Sequence, residues 1–243
     1  MSCPNSVAVK TLNSSLDRLN EAQWYVQLMQ EHYHCAEKFR WALSSFLRST
    51  KEVSQIISME IQQHKDLNLW YKKENKERHK DPIISYLVKQ RDVVVHQKML
   101  ETASKGTVGF TRGKGIKLGI GQDINPNYDS KEAILNYISY AAKDVDFFGI
   151  LYTEEDGGGE YTCVQREWRL SNFPDTEITT LCAHAWESVA KLLIDVAKQL
   201  GADFFYPKLD IRPIEEVELE IYNPAWIKEQ LESAKKYHAA QNT

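Results

Sequence analysis

The sequence predicts an α+β fold, a mainly helical bundle interrupted by a small antiparallel β-rich insertion. Three observations predict it. Apolar residues recur at three- and four-residue steps through much of 14–64, after Asp81 and again over 176–200, which is the spacing of one buried helix face. At Lys105 the composition changes, and Gly106, Gly109, Gly113, Gly115, Gly119 and Gly121 stand among alternating residues, as in short strands joined by tight turns. The helical pattern resumes after Phe173-Pro174, so the β-rich part is expected inside the bundle and not as a separate C-terminal domain.

Met1 to Leu12 mixes Pro, Asn and Ser with a few valines and is expected to be a loose arm. From Ser14, the positions Leu16, Leu19, Trp24, Leu28, Cys35, Phe39, Ala42, Leu43 and Phe46 predict a long helix in one or two pieces. Ser49-Thr50-Lys51-Glu52 has the Ser-x-x-Glu form of a capping box, in which the serine oxygen and the glutamate satisfy amides that a first helical turn leaves bare. A second helix is expected to start there, with Val53, Ile56, Ile57 and Ile61 as its buried stripe. Residues 65–80 are expected as a polar connection. Asp81-Pro82 predicts a helix start, with Asp as N-cap and Pro at the first helical position. Ile83, Ile84, Leu87 and Val88 bury this third helix, which is expected to run to about Thr102.

Thr107–Thr111 and Ile116–Ile120 read as two strands joined by a tight Arg-Gly-Lys-Gly turn. The Gly-x-Gly there lacks the Lys-Ser/Thr of a phosphate-cradling loop, so a plain hairpin is expected. Ser130–Lys143 has helical spacing, and Val145–Tyr152 and Tyr161–Leu170 read as further strands. Thr176 is expected to open a long helix with Ile178, Leu181, Ala185, Val189, Leu192, Leu193 and Val196 inward and Gly201 as its stop. A proline-interrupted linker then leads to a helix from Pro224 to about Ala239. The expected segments are 13–103 for the first part of the bundle, 104–174 for the β-rich part, 175–201 for the helix completing the bundle, and 202–243 for linker and C-terminal helix.

Composition narrows the function classes. Of 243 residues, 42% are hydrophobic and 26% charged, the balance of a folded chain. Thirty basic against 34 acidic residues give a net charge of −4, so any polyanion site must be a local patch. Cys3, Cys35, Cys163 and Cys182 are scattered, with no Cys-x-x-Cys pair and no signal-like apolar run at the start, which predicts a reduced, cytoplasmic setting. No stretch approaches the roughly 20 apolar residues of a membrane span, so no membrane partner is expected.

Chemistry concentrates in Lys89-Gln90-Arg91-Asp92-Val93-Val94-Val95-His96-Gln97. Arg91 is a permanent cation able to stabilise an oxyanion, and His96, five residues on, titrates near neutrality. Cleavage of a phosphodiester by an internal 2′-hydroxyl needs these two parts, and no metal if the histidine moves the proton. Upstream, Lys72, Lys73, Lys76, Arg78 and Lys80 stand beside Trp70 with only Glu74 and Glu77 against them. Such a run is either a solvated face or the rim of a polyanion site. As a rim, its cations would hold an RNA backbone and Trp70 would stack an unpaired base. On a straight helix, positions five apart point about 140° away from each other. Either the three valines mark a distorted turn, or the working pair is assembled across a two-fold axis.

A helical bundle carrying Arg, a polar residue and then His four to six places on, late in its third helix, resembles the HEPN superfamily. That superfamily includes toxin ribonucleases and abortive-infection and CRISPR-associated nucleases. Arg91, Asp92 and His96 carry the resemblance, which covers roughly residues 14–102 together with 176–200. It implies a metal-independent endoribonuclease with no cofactor, RNA as its partner, and a composite active site shared by the protomers of a homodimer. His96 would be general acid or base, Arg91 would stabilise the phosphorane charge, and Asp92 would orient one of them. A toxin or antiphage defence system, with an antitoxin or other regulatory partner, is the implied setting. Asp92 departs from the asparagine most common in the family, and an aspartate meeting His96 would raise its pKa. A non-catalytic HEPN-like dimeric binding or regulatory module is the alternative, since a fold does not carry activity with it.

Other candidates are weaker. His32 and His34, two apart beside Cys35, point to different sides of a helix, and no metal is expected there. His184 and Glu187 share a helical face, as a ligand pair, a proton relay or, more commonly, a hydrogen-bonded pair at a bundle edge. If their helix packs beside the third, either would be placed to support Arg91 or His96. Cys163 and Cys182 have no activating base nearby in sequence, so no thiol nucleophile is expected.

Overall fold

The computed structural model describes residues 7–96, 100–113, 115–143, 149–154, 159–202 and 207–241, with the side chains of 93–96 outside that description. In chain order its elements are α1 (Val7–Thr11), α2 (Asn13–Glu31), α3 (Ala36–Glu60), α4 (Lys65–Arg78), α5 (Pro82–His96), β1 (Thr102–Arg112), β2 (Ile116–Asp123), α6 (Ser130–Ala141), β3 (Glu160–Leu170), β4 (Phe173–Glu177), α7 (Ile178–Gln199), β5 (Leu219–Ile221) and α8 (Pro224–Gln241). The fold is α+β with an antiparallel sheet. The described residues among 1–31, 40–100 and 178–211 form a helical unit, and those among 32–39, 101–177 and 212–243 form a unit built on the sheet. No helix among the described residues is long and apolar enough to cross a membrane.

In the helical unit, apolar side chains return to one face of each long helix and are buried there. They are Leu19, Ala22, Val26 and Met29 on α2, Ala42, Leu43, Phe46, Val53 and Ile57 on α3, and Leu181, Ala185, Val189, Leu193 and Val196 on α7. α7 packs along α2, where the Trp186 indole N–H donates to the Leu19 carbonyl at 2.9 Å. The bare amides at the start of α2 are met from a distant helix end. The Glu60 carboxylate accepts from the Ser14 amide at 2.8 Å and from the Ser15 amide at 3.3 Å, so a negative charge sits at the positive end of α2.

Several boundaries differ from expectation, each for a local reason. α3 runs unbroken through Ser49–Glu52. Ser49 is buried, and its hydroxyl donates back to the Phe46 carbonyl at 3.2 Å, the bond a serine makes inside a helix when no bare amide is there to cap. The break falls earlier, at residues 32–35 between α2 and α3. Residues 65–78 are helix and not a connection: Tyr71 is buried, and Asn75 and Arg78 follow it at helical steps, a face too poor in apolar residues for periodicity to mark. Val7–Thr11 is helical with Ala8 buried, where a loose arm was expected.

α5 begins as its sequence predicts. Asp81 Oδ1 accepts from the Ile83 and Ile84 amides at 2.8 and 3.2 Å, which is an aspartate N-cap. The helix is described to His96, and it does not reach Thr102, which already pairs with Leu170 as the first residue of β1. α7 starts at Ile178 and not Thr176, because Phe173–Glu177 is held beside β3 as β4. Gly201 stops it at φ +84°, with its amide on the Lys198 carbonyl and the Ala202 amide on the Ala197 carbonyl, both at 2.9 Å.

In the second unit the strand order is β2-β1-β3-β4, with β5 also pairing β3, and all pairs are antiparallel. The β1–β2 hairpin turns at the expected Arg-Gly-Lys-Gly, where Gly113 and Gly115 hold φ of +77° and +74°. Of the strand expected over Val145–Tyr152, residues 145–148 lie outside the described residues and 149–152 are not strand. β3 buries Thr162, Val164, Arg166, Trp168 and Leu170 as its alternation predicts, and Cys163 from the opposite face is buried with them. α6 and α8 supply Ile134, Ile138, Ile227 and Leu231 to a core with Val108 and Val164. The stretch 32–39 packs on the same sheet, where the Phe39 ring stacks on Trp168 at 4.4 Å and the Trp168 indole donates to the Tyr33 carbonyl at 2.8 Å.

Candidate functional site

Arg91 and Asp92 lie in the last turns of α5, and the Asp92 carboxylate gathers two cations. Its Oδ1 accepts from Lys51 Nζ on α3 at 2.7 Å and from Arg91 Nη1 at 3.1 Å. Lys51 first and Arg91 second hold its pKa below the ordinary carboxylate range, so Asp92 stays ionised and acts as a positioning anion, not as a proton donor. The Arg91 side chain is mostly covered, and its Nε is buried without a hydrogen-bond partner among the described residues. His96 closes α5, and its side chain lies outside the described residues.

The basic run is the solvent side of α4. Lys72, Lys73, Lys76 and Lys80 are exposed and Trp70 is half-buried. Lys80 pairs with Glu77 at 2.6 Å. Arg78 departs from the others by turning inward. Its Nη2 donates to Ser54 Oγ at 3.0 Å, and Nη2 and Nε both donate to Asn75 Oδ1, at 3.1 and 3.2 Å. No carboxylate lies within 4 Å of the guanidinium among the described residues. Burial holds its pKa below the usual arginine value, yet the group keeps its charge.

Arg78 forms part of the wall of a cavity of about 290 Å³ between α3, α4 and α5. Phe46, Leu47, Ile84, Leu87 and Val88 give it an apolar floor, and Lys51, Lys72 and Arg78 give it a cationic wall, with His79 beside them and no acidic residue in the lining. Tyr71 closes the base, its hydroxyl donating to the Ser54 carbonyl at 2.5 Å and its pKa pushed up to about 12 by burial. Thr50 Oγ1 on the same wall is buried with no hydrogen-bond partner among the described residues. Sequence reading missed the α3 contribution. Thr50, Lys51, Ser54, Gln55 and Ser58 recur at helical steps, a polar stripe that is legible once α3 is read as continuous.

Other candidates have structural employment. His184 Nε2 meets Asp81 Oδ2 at 2.8 Å, at the opposite end of α5 from Arg91, roughly 15 Å along the helix axis, so it does not support the Arg91–His96 pair. In the sheet unit, the His34 ring bridges Ser130 Oγ at 2.8 Å and the Val217 carbonyl at 3.0 Å. A carbonyl only accepts, so Nε2 carries the proton and Nδ1 accepts from the serine. Burial lowers this histidine's pKa to about 4. Cys163 is buried and its thiol is pushed up to about 12, which leaves it unreactive. Among the described residues, no group of three or more His, Cys, Asp or Glu gathers as a metal site.

Residues 3–110 match the family of bacteriophage lambda protein Ea47. That similarity spans α1 to α5 and most of β1, including Arg91, Asp92 and every cavity residue except Ala185. Among curated proteins and solved structures, nothing matches the chain.

Proposed function

We propose that the chain is a metal-independent, HEPN-type endoribonuclease of phage–host conflict that works in the cytoplasm as a homodimer, with Arg91 and His96 as its reacting pair. The observation that carries this reading is the arrangement at the end of α5. One ionised aspartate fixes Arg91 beside Lys51, while the Arg91 Nε–H has no hydrogen-bond partner among the described residues. Arg91 stabilises the charge that grows on the phosphorus oxygens, and Asp92 holds its guanidinium in one orientation. His96 takes the proton of the ribose 2′-hydroxyl or returns one to the leaving 5′-oxygen. Lys72, Lys73, Lys76 and Lys80 project from α4 where an RNA backbone would run, a contribution that weakens with salt. Two residues five apart on one helix diverge by about 140°, so the reacting Arg91 and His96 come from different protomers. Similarity over residues 3–110 to a phage lambda protein is in keeping with a toxin or antiphage setting restrained by a partner.

Expression in bacteria tests the proposal in cells. The wild type is expected to slow growth, and Arg91→Ala is expected to relieve the effect without lowering the amount of folded protein. Equal growth with both proteins would favour a non-catalytic dimeric module, in which Asp92, Lys51 and Arg91 form only a structural ion-pair cluster.

A further inference from the structure

We propose that the cavity between α3, α4 and α5 binds a small phosphate monoester with a flat or apolar body, a ligand of the class of a nucleoside monophosphate. The proposal stands apart from RNA cleavage, for it uses neither Arg91 nor His96. The cavity's two chemical halves define the ligand. Its volume of about 290 Å³ lies at the small end of the range for small-molecule sites. Phe46, Leu47, Ile84 and Leu87 offer an organic body an apolar floor.

The wall opposite sets the charge. Lys51 is already matched by Asp92 at 2.7 Å. Arg78 and Lys72 have no carboxylate within 4 Å among the described residues, and none lines the cavity. Two cations with no carboxylate in contact among the described residues fit the charge of a phosphate monoester near neutral pH, about −1.5 to −2, whereas a carboxylate would leave one of them unmatched. A guanidinium held by neutral partners alone keeps its charge for an anion, and the Asn75 and Ser54 oxygens fix the direction in which its remaining N–H groups point. The buried Thr50 hydroxyl, which has no hydrogen-bond partner among the described residues, supplies a hydrogen bond to the ligand.

Titration of the full chain with adenosine 5′-monophosphate and with phenyl phosphate, followed by calorimetry, tests the site. Adenosine and inorganic phosphate serve as controls, each lacking one half of the ligand. Both monoesters are expected to bind with Kd below about 1 mM, and both controls at least about tenfold more weakly. Arg78→Gln is expected to weaken monoester binding by about tenfold or more, and Lys72→Ala by about twofold to tenfold. Lys72 is on the exposed side of α4, so its variant reports on the site even if Arg78→Gln fails to fold. Absence of monoester binding to the wild type at about 1 mM would overturn the proposal, as would binding that Lys72→Ala leaves unchanged, or adenosine binding as tightly as its monophosphate.

Discussion

Two buried arginines, one in each unit, show how the same side chain serves a fold or a ligand. Arg166, in the sheet unit, is fully buried and employed on every side. Its Nε donates to Ser104 Oγ and its Nη1 to the Tyr128 carbonyl, both at 2.8 Å, and its guanidinium lies 3.8 Å from the Trp168 ring centre. Those bonds tie β1 and the 125–128 loop to β3. Arg78, in the helical unit, lines a cavity; its hydrogen-bond partners are Ser54 and Asn75, and no carboxylate lies within 4 Å of it among the described residues. The residues of the sheet unit carry an acidic excess and those of the helical unit a basic one, so a polyanion or a phosphate ester finds attraction in the helical unit.

Substitutions break or sharpen this comparison. The largest effect is expected at Trp168, which loses its stack on Phe39 and its bond to the Tyr33 carbonyl. Trp168→Ala should cost about 3–5 kcal/mol in urea unfolding. Arg166→Met strands the Ser104 hydroxyl and the Tyr128 carbonyl in the interior and should cost about 3 kcal/mol. Arg78→Met strands the part-buried Ser54 hydroxyl and Asn75 side-chain oxygen, so the same measurement should find a smaller loss, about 1 kcal/mol. Equal losses at Arg166 and Arg78 would erase the distinction between them.

Acid should act on the sheet unit through His34. The unfolded histidine titrates near 6.5, whereas burial, aided by the Arg166 charge, lowers the folded value to about 4. Below pH 6.5 the unfolded chain therefore binds a proton that the folded chain refuses. Stability is complete above that pH and falls between 6.5 and 4, by about 3 kcal/mol in all. Glu220, 3.9 Å from the ring and itself raised by burial, works in the opposite sense. Comparing unfolding at pH 7 and pH 5 for the wild type and His34→Gln isolates the histidine's share, and a slope the substitution leaves unchanged would contradict it. An effect of the size of the Arg78 one, about 1 kcal/mol, is expected at Asp81, where alanine removes the cap of α5.

Elements with a strong local signature were legible in the sequence. The Asp81-Pro82 start, the Gly201 stop, the Arg-Gly-Lys-Gly turn and the alternation of β3 each follow from side-chain chemistry within a few residues. What local pattern could not supply was partnership at a distance. The Ser49–Glu52 signature means a cap only where the preceding residues are not already helical, and here they are. α4 has too few apolar residues to announce itself, because its inward face carries Tyr71, Asn75 and Arg78. The contact of Lys51 with Asp92 joins residues 41 apart, and the inward turn of Arg78 depends on Ser54, 24 residues away. Charge counting could therefore nominate the basic run but could not tell its one inward cation from its solvent-facing lysines.

Cleavage of RNA in excess EDTA by the purified wild type, Arg91→Ala and His96→Ala tests the proposed chemistry most directly. The wild type is expected to cut without a metal, and each variant to lose about 10²-fold or more. Cutting that stops with EDTA, or variants that cut as fast as the wild type, would contradict it.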